Sequence, residues 1–149
     1  MAGRHRRHMR AEVIKGITIR PLRNGDADTI QRVFDRMGPR SRWLRFNGAK
    51  NVLTASDLAQ LSRVDGLHHV LVAVVGGEPV GIARLVRDGD TAEVAFAVVD
   101  DHQSRGVGTV LADRLREDAR AAGITSFHAE IRSDNAPSQA LLQRVRQAA

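Results

Sequence analysis

The chain reads as short apolar runs alternating with amphipathic stretches. Ile17–Arg20 is β-branched and alternating, and Pro21 stops it, which predicts a short strand. From Ala27 the residues Ile30, Val33, Phe34 and Met37 recur at helical spacing behind the turn Asn24-Gly25-Asp26, and Gly38-Pro39 ends that helix. A second short helix is expected over Ser41–Phe46, anchored by Trp43, Leu44 and Phe46. A third, capped by Thr54, Ser56 and Asp57, carries Leu58, Leu61 and Val64. His68–Val75 is the most apolar run and predicts a central strand. Gly76-Gly77-Glu78-Pro79 turns it into a strand over Val80–Arg87, and Asp88-Gly89 turns that into a third over Thr91–Val99.

Beyond that hairpin the period changes. Val107, Val110, Leu111, Leu115, Ala119 and Ala122 form a helical stripe, with Asp113, Arg114, Arg116, Glu117 and Asp118 at the other positions. Ala121-Ala122-Gly123 stops this helix, Ile124–Arg132 is expected as a fifth strand, and Ser133-Asp134-Asn135 leads through Pro137 into a last helix. The order strand, helices, three strands, helix, strand, helix predicts an α/β domain (α+β in the order of its elements) on a mixed sheet.

With 149 residues, 42% of them apolar, the chain suits one domain over residues 17–149. Most of the net charge of +6 sits in residues 1–16, where Arg4, Arg6, Arg7, Arg10 and Lys15 face Glu12 alone. A solvated, disordered basic leader is the expectation there; a nucleic-acid-binding arm is the lesser alternative, because no aromatic residues interleave with the arginines. The chain has no cysteine, which excludes disulfides and thiolate chemistry, and with scattered histidines no metal site is expected. No apolar run reaches a membrane span and no signal-peptide core appears, so the expected location is cytoplasmic.

The candidate chemistry lies where the strand ending at Val99 meets the stripe beginning at Val107. Gln103-Ser104-Arg105-Gly106-Val107-Gly108 opens a helix directly after a strand. The first N–H groups of a helix lack intrahelical partners and carry the positive end of its dipole, so the junction suits an anion. Gly106 and Gly108 would let phosphates approach the backbone, and Arg105 offers a fixed charge. No Lys follows either glycine, which excludes a P-loop, and Leu111 stands where a dinucleotide fingerprint needs its third glycine. The plainer reading is that both glycines merely shape a helix start.

The remaining pattern, Q-x-x-G-x-G after a strand and followed by Asn135 and Ser138-x-x-Leu141, resembles the GNAT superfamily of acyl-CoA N-acyltransferases. TIRPLR followed later by SRWLRF narrows the likeness towards bacterial protein-lysine acetyltransferase domains. The resemblance implies a GNAT fold and acetyl-CoA as acyl donor. Gln103, Ser104, Arg105, Gly106, Val107, Gly108 and Thr109 would then hold the pyrophosphate, Asn135 and Ser138 would reach the pantetheine, and a bulged, splayed strand at Phe96, Ala97 and Val98 would bind the pantetheine arm and polarise the thioester. Glu93 would be the base that deprotonates the amine acceptor, a protein lysine or a small molecule; the alternative is a strand carboxylate paired with Arg84. His68 and His69 read as surface or packing residues rather than catalysts.

Two departures from the family stand out. Leu142 occupies the position of the family's tyrosine acid, and the chain contains no tyrosine. The family usually continues with Gly-Phe and further strands, whereas this sequence stops at Ala149. The C-terminal strands are thus expected to be missing, and the fifth strand is expected to keep an open edge. Either a partner copy completes the sheet as a homodimer, or the domain is a catalytically silent acyl-CoA-binding or regulatory relative.

Overall fold

The computed structural model describes residues 11–147. Its strands are β1 (Glu12–Ile14), β2 (Ile17–Pro21), β3 (His68–Val75), β4 (Glu78–Asp88), β5 (Thr91–Val98) and β6 (Ser126–His128). Its helices are α1 (Ala27–Asp35), α2 (Pro39–Phe46), α3 (Ala55–Leu61), α4 (Val107–Ala121) and α5 (Ala136–Arg146). The strands form one sheet in the order β1-β2-β3-β4-β5-β6, antiparallel throughout except for the parallel pair β5–β6. A mixed α/β sheet is therefore observed, as the alternating periods predict.

The sheet buries both faces. Val70, Leu71, Val72 and Ala73 of β3 are fully buried, which explains why that run is apolar without alternation. On one face α4 packs Val107 and Leu111 against Gly81 of β4, where an added Cβ would lie 3.0 Å from both side chains. Burying Leu111 and Leu115 in this way contributes about 1.5–3 kcal/mol each. On the other face lie α1 to α3. Arg42 of α2 reaches back to α1, placing its guanidinium 4.0 Å from the centre of the Phe34 ring and donating to the Phe34 carbonyl at 3.0 Å. The same carbonyl accepts from the Met37 N–H at 3.0 Å, so Arg42 adds a second donor at the end of α1.

Several expectations need correction. Part of the stretch read as a disordered leader is ordered: Glu12–Ile14 is an edge strand antiparallel to β2. The tie is that Arg114 of α4 donates to Glu12 Oε1 at 3.4 Å, while Ile14 packs against the core. Residues 1–10, with four of the leader's arginines, lie outside the described residues. The fifth predicted strand, Ile124–Arg132, shrinks to Ser126–His128, because β6 parts from β5 after the pair Glu93↔His128 and the residues beyond have no strand to bond. Trp43 is no core anchor; it is 38% exposed, with the Arg132 guanidinium 5.4 Å from its ring centre. Nor are Arg114 and Asp118 on an outer face of α4, since both are buried.

β6 is the edge of the sheet among the described residues, though not a bare one. Arg146 of α5 donates to the Phe127 carbonyl at 3.0 and 2.7 Å, blocking one acceptor of that edge.

Candidate functional site

The parting of β6 from β5 creates the site. β4 and β5 stay in unbroken register from Asp88↔Thr91 to Gly81↔Val98, so the expected bulge near Phe96–Val98 is absent; the sheet's bulge lies between Ala73 and Val74. The splay comes instead from divergence of the neighbour. Val99 N–H donates to Val80 of β4, whereas the Val98 carbonyl accepts from the Gln103 side chain on the opposite side. Backbone polar groups along a strand alternate between neighbours with period two, so Phe96, like Val98, directs its N–H and C=O away from β4, where β6 has gone. These groups face a cleft.

That cleft encloses about 310 Å³ and runs from Phe96, Ala97 and Val98 to the start of α4. Gln103, Ser104, Gly106, Gly108, Thr109, Asn135 and Ser138 line it, so most of the sequence-derived candidates converge there. Arg105 and Val107 do not. Arg105 is exposed outside the cleft lining, and Val107 turns its side chain into the core, 1% exposed, leaving its main chain to the helix start.

Local backbone explains the loop. Ser104 and Gly106 both take positive φ, 63° and 85°, a reversal of handedness that brings successive N–H groups together. Gly106 is the N-cap of α4 and supplies no side chain to its first turn, so those amides have no side-chain acceptor. Gly108, which lines the cleft, also has a packing role. A Cβ there would lie 3.0 Å from Leu141 Cδ1, so this glycine admits α5 close to α4. Asn135 caps α5, its Oδ1 accepting from Ser138 N–H at 3.3 Å, and so holds both cleft residues in place.

Sequence reasoning missed the opposite wall. Met37, Ser41, Leu44, Arg45, His102 and Leu141 also line the cleft. Gln103 donates to Ser41 Oγ at 3.0 Å, Ser41 donates to Asp100 Oδ1 at 2.5 Å, and Gly38 N–H donates to Asp100 Oδ2 at 3.0 Å. This chain of bonds ties the α1–α2 corner to the loop. The contacts span some sixty residues of sequence, and no motif encodes them; the polar pair Asp100-Asp101 after a strand was legible only as a turn.

A second cavity of about 230 Å³ adjoins the first, sharing Leu44, Arg45, Phe96, Asn135 and Ser138, and adds Glu93 and Glu130. Glu93 is half exposed there, its nearest ion-pair contact among the described residues being His128 Nε2 at 3.9 Å. It does not pair with Arg84. Its charge is nevertheless felt by two guanidiniums. Arg45 is pushed down to about 10 by burial and then by the charge of Arg84, with Glu93 acting in the other direction. Arg84 is likewise lowered by burial and raised by Glu93.

His68 and His69 lie elsewhere. His69 Nε2 is 2.7 Å from Asp118 Oδ2, and His68 Nδ1 is 2.8 Å from Asp65 Oδ1, both beside a cavity on the α4 face. No cluster able to hold a metal occurs among the described residues, and none of their helices is long and apolar enough to cross a membrane.

Comparison with known proteins bears on this geometry. The crystal structure of the GNAT domain of S. lividans PAT superposes with a TM-score of 0.83 at 27% identity, covering 93% of this chain and 87% of that one. A ribosomal-protein-S18-alanine N-acetyltransferase from Escherichia coli shares the fold at a TM-score of 0.65 and 20% identity, over 85% of this chain and 74% of that one. In sequence, Acetyltransferase Pat of Mycolicibacterium smegmatis is 32% identical over 133 residues, 85% of this chain but 40% of that protein. Acetyltransferase PA5475 of Pseudomonas aeruginosa is 29% identical over 119 residues, 75% of this chain and 64% of that protein. The chain thus spans less than two thirds of either relative's length. Residues 39–146, from the start of α2 to the end of α5, match the acetyltransferase (GNAT) family, and the chain belongs to that family.

Proposed function

We propose that this chain transfers an acetyl group from acetyl-CoA to a primary amine, a protein lysine or a small-molecule amine, by direct attack in a ternary complex. One observation carries the proposal: the backbone of Phe96 and Val98, which no strand pairs on that side, opens onto a cleft that ends at the uncapped start of α4. Amides at that helix start suit a pyrophosphate, and the free strand edge suits the amide-rich pantetheine arm. Family membership supports the same assignment.

The acceptor would enter through the cavity that holds Glu93. A lysine amine has a pKa of about 10.4 and is mostly protonated at neutral pH, so a base is required before attack. Glu93, half exposed and unpaired with arginine, is free to take that proton directly or through a water. At the leaving group Leu142 is buried and offers no acid. A free thiol titrates at about 8.5, so the departing thiolate is tolerable near neutrality and can take its proton from water. The missing tyrosine then lowers rate without abolishing it.

Thermal unfolding with and without acetyl-CoA tests the reading. At a hundredfold excess over Kd the ligand should stabilise by about 2.7 kcal/mol, several degrees in Tm. Gly106→Trp should abolish the shift: an added Cβ meets nothing within 4 Å, so the ring projects from the loop rather than into the core, and because a side chain is strained at φ 85° the unliganded Tm is read beside it to separate lost binding from lost fold. No shift in wild type at millimolar acetyl-CoA overturns the proposal. Tight CoA binding without thiol release from any amine would leave the silent acyl-CoA-binding reading in its place.

A further inference from the structure

Behind Ala97, on the α1 face of the sheet, lies a recess of about 30 Å³ walled by Ile30, Val33, Phe34 and Ile82. In an otherwise apolar wall it holds two guanidiniums, Arg45 and Arg84. Arg84 donates one bond, to the Gln60 carbonyl at 3.2 Å, and its Nε is buried with no partner at all. Arg45 has no hydrogen-bond acceptor among the described residues; its guanidinium sits 4.9 Å from the centre of the Phe46 ring. Glu93 is the carboxylate both cations feel, and it stands on the acceptor cavity, not on the wall of this recess. Two cations against one displaced anion leave the recess positive. A buried donor without an acceptor and a cation in an apolar wall are both costly, and an anion in the recess would relieve both.

The position says which anion. The recess shares Met37, Arg45 and Ala97 with the cleft read above as the cofactor site, on the stretch where a thioester would lie. Its volume admits a group of one or two water-sized atoms, a carboxylate on a short chain. We propose that the recess is an acyl subsite that extends the donor range beyond acetyl to short ω-carboxyacyl groups, malonyl or succinyl, with Arg45 and Arg84 bonding the distal carboxylate. This rests on the acyl-CoA reading of the adjoining cleft. In the reaction the amine nitrogen attacks the thioester carbonyl, a C–N bond forms and the C–S bond breaks with its electron pair on sulfur. The amine proton leaves through Glu93 to solvent and the thiolate takes one from water. The distal carboxylate stays on the new amide, which turns a cationic amine into an anionic product.

The test compares kcat/KM for malonyl-CoA with that for isovaleryl-CoA, whose acyl group has the same branched shape without charge, and measures the thermal shift given by CoA itself. Wild type should favour the malonyl donor by roughly tenfold or more, the worth of a charge-assisted hydrogen bond. Arg84→Met should erase or reverse that ratio while the shift from CoA persists, and Arg45→Gln should reduce it independently. Succinyl-CoA against 4-methylpentanoyl-CoA repeats the comparison one methylene longer. Equal rates for charged and neutral donors of both lengths, with CoA still stabilising, overturn the subsite and leave the acyltransferase reading standing. If CoA does not stabilise the protein, both fall together.

Discussion

Arg114 and Arg84 lie on opposite faces of one sheet, Arg114 buried and Arg84 partly buried, and they differ most in the acceptors around them. Arg114 on α4 donates Nε to Asp118 Oδ1 at 3.0 Å and reaches Glu12 at 3.4 Å, while the other oxygen of Asp118 lies 2.7 Å from His69. Every charge in that group faces an opposite charge or a donor, and the group pins β1, β3 and α4 together. Arg84 on β4 has a carbonyl, an orphaned Nε and a second guanidinium for company. Burial alone therefore does not distinguish structure from site; the count of acceptors around a buried donor does. A cation whose neighbours exhaust its donors holds the fold, and one left short beside a cavity awaits a ligand.

The comparison breaks most visibly at Arg114. Arg114→Met takes the guanidinium from the buried Asp118 carboxylate, and removal of one partner from a buried pair costs about 3–5 kcal/mol. The expected fall in Tm is on the order of 10 °C. A loss of only a degree or two would show that the network is not the strut its geometry implies.

Glu93→Gln comes next in size and acts on rate. With the candidate base gone, turnover at pH 7 should fall roughly a hundredfold while acetyl-CoA still raises Tm. The deficit should narrow as pH rises towards the amine's own pKa of about 10.4, where free acceptor needs no base. A pH-independent deficit would assign Glu93 to the electrostatics of the arginine pair instead.

Arg84→Met is the reciprocal of the Arg114 experiment and should have the opposite sign. Replacing a partly buried cation whose Nε is buried without a partner by an apolar side chain is neutral or stabilising by about 1 kcal/mol, read as an unchanged or higher urea midpoint. A clear drop would mean that Arg84 is already satisfied and that the two faces do not differ as described.

Much of the fold is legible in the residues, because the long elements bury one face each and write that burial into their periods. β3 matches its apolar run end to end, and the α4 stripe marks the helix and its glycine start. What fails is what depends on a distant neighbour. Ile124, Phe127, Ala129 and Ile131 keep an apolar rhythm past His128, yet pairing stops there because β5 and β6 diverge. Ser41, Asp100 and Arg45 belong to the cleft through contacts across long separations, and no local pattern announces them. The loop from Gln103 to Thr109 is the reverse case: its turn at Ser104 and Gly106 and the helix start behind it are local, so a short motif suffices to place them.

The smallest effect concerns a pairing at the surface, where solvent weakens what burial magnifies. Asp65 accepts from His68 Nδ1 at 2.8 Å, from the Leu67 and His68 N–H groups at 2.9 Å each, and from Arg63 at 2.8 Å. His68 first, then the Leu67 amide, hold its carboxyl well below the ordinary value of 3.8. A carboxylate depressed in the folded state binds fewer protons there than in the unfolded chain, so it adds stability above that ordinary value and loses it as pH falls below. Asp65→Asn should therefore lower Tm slightly at pH 7, and the gap to wild type should close as pH drops from about 4 towards 2. A gap that persists at the acid end would mean that Asn fails to reproduce the turn geometry. The charge itself would then contribute little, as expected of exposed pairs, in contrast to the buried ones on either face.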